Sequence, residues 1–157
     1  MTVDELREEI NIELELIAET LREIVSLRDD VEGREPTVRE KTAAASFMAQ
    51  FYSGIENILK RISRFQSVPL PTGETWHIEL FKRFRSPSFK GLPILFDESL
   101  ALAIAPYRKF RHVVFHGYGF QLDWNRMKEG VDNIETVYER FKKILLKYLR
   151  TINEKKK

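Results

Sequence analysis

The chain contains no cysteine, which removes disulfide scaffolds, thiolate catalysis and cysteine-ligated zinc together. No apolar run approaches the roughly 20 residues that a membrane helix needs. The opening Met1-Thr2-Val3-Asp4-Glu5 lacks the basic and apolar blocks of a secretory signal, so a cytoplasmic location is expected. Charge of one sign is missing too: 26 basic and 24 acidic residues leave a net charge of +2. So even a mixture does not mark a nucleic-acid binder by composition, and any basic surface must be local. Nor does any segment alternate with a period of two over more than a few residues, which excludes a convincing strand.

What is present suits a soluble globular fold. Hydrophobic residues make up 43% and charged residues 32%, and 157 residues are enough to close one core without metal or disulfide. A single domain over residues 1–157 is expected. Thr2-Val3-Asp4-Glu5 and Thr37-Val38-Arg39-Glu40 have the form of capping boxes, in which hydroxyl and carboxylate satisfy the free amides of a helix start. The first opens a helix to about Asp29, with Ile10, Leu14, Ile17, Leu21 and Ile24 on its buried side. The second opens a helix whose stripe runs from Ala44 through Met48, Phe51, Ile55 and Ile58 to Phe65, stopped by Val68-Pro69-Leu70-Pro71. A shorter helix is expected from about Thr75 to Arg85, then an irregular stretch with Pro87, Gly91 and Pro93. Asp97 caps a fourth helix ending near Gly117, and a long last helix follows Asp123, with Lys155 to Lys157 as a frayed basic tail. The pattern predicts an all-α, up-and-down bundle of four long helices and one short one, interrupted by a longer excursion over residues 66–96.

The chemistry concentrates in Arg108-Lys109-Phe110-Arg111-His112-Val113-Val114-Phe115-His116-Gly117-Tyr118. Two imidazoles, two guanidiniums, an amine and a phenol within eleven residues suit a phosphodiester. Cleaving RNA through its own 2′-hydroxyl needs a base, an acid and positive charge on the developing phosphorane. Histidine and arginine supply all three, so neither a metal nor a cofactor is called for. DNA lacks the internal nucleophile, so the chemistry itself selects RNA.

The spacing R-x-x-x-x-H-x-Y, present as Arg111, His116 and Tyr118, resembles the motif of HepT-like ribonuclease toxins of the HEPN superfamily. Phe51-Tyr52-Ser53-Gly54-Ile55-Glu56 and Trp76-His77 are similar to their second and third helices, and helix order and length match over roughly residues 3–152. The resemblance implies a bundle that forms a homodimer, with the Arg and His of both copies facing a shared cleft where RNA is cut without metal. It also implies a partner, a minimal nucleotidyltransferase antitoxin that transfers AMP to the motif tyrosine, here Tyr118. One departure is His112, which stands where the family usually has asparagine. Either the ring replaces the amide's hydrogen bonds or it takes part in catalysis. The alternative function is a non-catalytic HEPN module that binds a nucleotidyltransferase or its nucleotide, and a third is a plain dimerisation bundle.

Geometry adds a constraint. Residues five apart on a regular helix point roughly 140° from each other, so Arg111 and His116 do not share a face automatically. A site composed from two chains is the expected solution. His112 and His116 also have a metal-chelating spacing, but Val113 stands where a metalloprotease has its glutamate, and Asp97 or Asp123 would have to be recruited. Glu56 lies beside the apolar stripe of the second helix and must pair with a cation. If that cation is Arg111 or Arg108, Glu56 orients the catalytic arginine; a structural bridge elsewhere is the favoured reading. His77 reads first as a packing partner of Trp76. Lys82, Arg83, Arg85 and Lys90 read as a solvated edge, with Phe81, Phe84 and Phe89 facing the core, rather than as an RNA strip.

Overall fold

The computed structural model describes residues 1–155. Five α-helices follow in order: α1 (Val3–Asp30), α2 (Val38–Phe65), α3 (Trp76–Lys82), α4 (Glu98–His116) and α5 (Trp124–Lys155). A short 3₁₀ turn, Gly119–Gln121, precedes α5. Among the described residues there is no strand, only an isolated bridge between Arg85 and Phe96. The third helix ends three residues before its expected limit, and the 3₁₀ turn was not foreseen. Lys155 closes α5, and Lys156 and Lys157 of the expected basic tail lie outside the described residues.

Both capping boxes form. Thr2 Oγ1 accepts from Glu5 N at 3.1 Å while Glu5 Oε2 accepts from Thr2 N at 2.8 Å, so two otherwise unpaired donors are satisfied reciprocally. At α2 the same exchange joins Thr37 and Glu40, and Arg34 holds both Glu40 oxygens at 2.7 Å. Gly33, with φ +79°, turns the chain between α1 and α2 in a conformation that favours glycine.

The second helix is the centre of the molecule. It packs against α1, α3, α4, α5 and the 3₁₀ turn, and its Phe51, Tyr52, Ile55, Ile58, Leu59 and Ile62 are fully buried. Gly54 lets α1 approach closely, since a Cβ there would lie 2.5 Å from Ile17 Cγ1. Polar ties fix the remaining helices in register. Arg61 bridges to Glu9 at 2.8 Å and Glu13 at 3.0 Å on α1. Tyr138 of α5 donates to the Leu14 carbonyl at 3.1 Å, and Tyr107 of α4 donates to the Gly130 carbonyl at 2.7 Å.

The excursion between α2 and α4 is irregular but not detached. Phe84 and Phe96 are buried, Phe96 lies 4.5 Å from the Phe81 ring and 5.7 Å from that of Phe141, and the Phe84 carbonyl accepts from both Leu95 and Phe96. These contacts tie the end of α3 to the segment that leads into α4 and to α5. No described helix is long and apolar enough to cross a membrane.

Candidate active site

Asp97 starts α4 by accepting from Leu100 N at 2.7 Å. The helix ends at His116 because Gly117 turns extended, its amide still bonded to the Val113 carbonyl at 2.8 Å. A Cβ on Gly117 would lie 2.9 Å from that same carbonyl, so glycine suits this exit. Its last turns face α3 across an open groove of about 830 Å³. His77 contributes from α3, and Arg108, Lys109, Arg111, His112 and His116 from α4. Glu74 is the acidic member of the lining, so the groove is predominantly cationic.

Arg111 turns inward. Its Nη1 lies 3.3 Å from Oε1 of Glu56, whose side chain is only 3% exposed, whereas that of Arg111 is 23% exposed. The other Glu56 oxygen lies 2.8 Å from His77 Nδ1. Arg111 Nη1 also meets the imidazole, 2.7 Å from Nε2 and in contact with Nδ1. Glu56, His77 and Arg111 form one polar cluster joining α2, α3 and α4. The carboxylate thus has two partners, as a buried charge requires. The cation left open for Glu56 by the sequence is therefore Arg111, with His77 as second partner, and the favoured reading of a bridge away from the site is corrected. The helical register of Glu56 showed that it must pair, but not with what.

Aromatic rings lie beside this cluster. Trp76 lies against His77, with ring centroids 3.4 Å apart and planes tilted by 36°, and carries Lys60 at 4.5 Å and the Arg111 guanidinium at 5.6 Å over its face. The quadrupole of the indole ring attracts a cation to its face. Tyr52, one turn before Glu56, is fully buried and its hydroxyl has no hydrogen-bond partner among the described residues. Burial, then the nearby Glu56 charge, pushes its pKa upward, with Arg108 and Arg111 opposing.

His116 points the other way. It is exposed and lies against His112, the two rings 4.5 Å apart and tilted by 41°. The angular separation that five helical residues impose is thus visible within one chain: Arg111 is anchored toward α2 while His116 stands at the open side, both bordering the same groove. Arg108 lies over the Phe81 ring at 5.4 Å. Tyr118 is exposed on the extended segment beyond Gly117. Among the described residues no group of three or more His, Asp or Glu is arranged to hold a metal ion. Of the basic strip, Phe81 and Phe84 are buried and Phe89 is covered by Arg83 and Lys90. Arg83 is tied down by Glu79 and the Pro69 carbonyl.

A family model described as HepT-like protein matches residues 43–152, a span that contains Glu56, His77, Arg111, His116 and Tyr118. The chain belongs to the HepT-like family. No curated protein and no solved structure matches the chain. Membership agrees with the all-α bundle and points to a HEPN-type toxin module of the nuclease class. In this HepT-like chain the match begins within α2 and leaves α1 outside. The groove is therefore built wholly from matched elements.

Proposed function

We propose that this HepT-like chain is a metal-independent endoribonuclease toxin, with Arg111 and His116 as its catalytic residues. The observation that carries the reading is the division of labour in the groove. Arg111 is held by a buried carboxylate and an imidazole, whereas His116 is exposed on the same groove. A fixed guanidinium aimed at phosphate and an imidazole open to solvent are the two kinds of group that internal transesterification needs. In the reaction the RNA 2′-oxygen attacks the adjacent phosphorus and the bond to the 5′-oxygen breaks. A base takes the 2′-hydroxyl proton and an acid protonates the leaving oxygen. The products end in a 2′,3′-cyclic phosphate and a 5′-hydroxyl. Arg108 and Lys109 add positive charge along the strand's path, and His112 lies against His116, where it supports or shares proton transfer.

Two such chains compose the working site in this reading, each copy adding its own Arg and His to a shared cleft. Silencing falls to a minimal nucleotidyltransferase acting on Tyr118, whose side chain is exposed beside the groove. The phenolic oxygen attacks the α-phosphorus of ATP, pyrophosphate leaves and the phenol proton is released. The adduct places a bulky anion next to His116 and obstructs RNA.

The test is incubation of the purified protein with total RNA in chelator, beside His116→Ala and Arg111→Ala. Cleavage by the parent alone, leaving cyclic-phosphate ends, is expected. Intact RNA with a parent shown by mass spectrometry to be unmodified at Tyr118 would replace the nuclease with a non-catalytic nucleotidyltransferase-binding module.

A further inference from the structure

Beyond Gly117 the chain presents two large aromatic rings to solvent. Tyr118 is 68% exposed and Phe120 69% exposed, and their planes lie within 13° of parallel with centroids 5.5 Å apart. The segment that carries them is held in place. The Tyr118 amide donates to Gln121 Oε1 at 3.2 Å and the Leu122 amide to the Gly119 carbonyl at 3.2 Å. Gly119 sits so close to α2 that a Cβ would fall 2.1 Å from Thr42 Oγ1. Thr42 is itself bonded to the Val38 carbonyl at 2.8 Å. Two exposed rings stacked on an anchored loop leave an outer ring face as an apolar ledge, and only Gly117 lies between Tyr118 and His116, two Cα steps that reach at most ~7 Å.

We infer that Tyr118 and Phe120 form a stacking platform for an unpaired nucleobase, so that the groove takes single-stranded rather than duplex RNA. The inference rests on the reading of the groove as an RNA site and adds its substrate class. A nucleobase matches the ledge in shape, being planar and apolar on its face, and its phosphates match the adjoining charge of Arg108, Lys109 and Arg111. Bases in a duplex are stacked on one another and cannot lie on a protein ring. Because every base has such a face, the platform positions the strand without fixing its sequence.

The test uses a fluorescently labelled ten-nucleotide DNA strand, which lacks the 2′-hydroxyl and cannot be cut, together with its duplex and an abasic strand of equal length. Phe120→Ala is expected to weaken binding of the single strand roughly 5- to 100-fold and to leave the duplex and the abasic strand unchanged. Phe120→Trp restores it. Equal binding of the single strand by parent and Phe120→Ala overturns the platform. So does an equal loss on all three probes, or a Phe120→Ala variant whose main change is a smaller sedimenting mass, which would make the ledge a self-association surface. Binding of the uncut strand is read apart from catalysis. A parent that leaves RNA intact yet loses single-strand binding on Phe120→Ala upholds the platform while the nuclease reading fails.

Discussion

Arg111 can serve a phosphate only if something stops its long side chain from exploring solvent, and Glu56 and His77 do that. The Glu56 carboxylate is almost fully buried and contacts both neighbours, so its charge is held by partners rather than by water. Glu56→Gln keeps the shape and removes the charge. It is expected to lower stability by on the order of 1–2 kcal/mol and to lower kcat roughly ten- to hundredfold with KM little changed, because a misplaced guanidinium fails the transition state more than the bound substrate. Thermal melts and steady-state cleavage kinetics read the two effects separately. A variant that melts earlier but turns over like the parent would make Glu56 a structural bridge only. The pairing of Glu56 with Arg111 was open in the sequence because helical register tells which residues face inward, not which residue of another helix they meet.

At the scale of elements, the ends of the helices show how local chemistry sets their limits. The start of α2 is the most heavily determined: Glu40 accepts from Arg34 and from the Thr37 amide, and these bonds, the Arg34 one largest, hold its carboxyl down at about 2 against an ordinary value of 4.5. A carboxyl depressed on folding stabilises the native state fully above its unfolded value and ceases to do so as pH falls through the folded one. The stability difference between the parent and Glu40→Gln should therefore be full at neutral pH and vanish between about pH 4.5 and about pH 2. Denaturant melts across that range measure it, and a pH-independent difference would show that the box does not form. Such caps were readable from four-residue patterns because their partners lie within one turn. The short reach of α3 and the 3₁₀ turn at Gly119–Gln121 were not readable. They are imposed by contacts with distant residues, Phe84 with Leu95 and Phe96 in one case, Gly119 with Thr42 in the other.

For the whole molecule the question is whether one chain or two make the working site. One chain already brings Arg111 and His116 to a common groove, with Arg111 drawn inward and His116 outward. Pairing two copies across that groove would set the arginine of one against the histidine of the other. If the site is composite in this way, a mixture of Arg111→Ala and His116→Ala chains should cleave RNA that neither variant cleaves alone. The specific rate of the parent should also fall on dilution as the pair dissociates. A mixture as inert as its components, with a parent rate independent of concentration, would put the entire site in a single chain.

The sequence by itself determined the four long helices and which candidate groups lie close together along the chain. A buried stripe at helical spacing, the caps of α1, α2 and α4 and the Arg111, His116, Tyr118 spacing are all local patterns, set by the geometry of one helix. Only the tertiary structure decided what those groups face. Glu56 on α2, His77 on α3 and Arg111 on α4 lie 21 to 55 residues apart in the chain and meet because α2 packs against both other helices. The exposed ledge of Tyr118 and Phe120 depends likewise on Gly119 resting against Thr42. Contacts between helices follow from the packing of whole faces, and no short pattern along one of them specifies the opposite side.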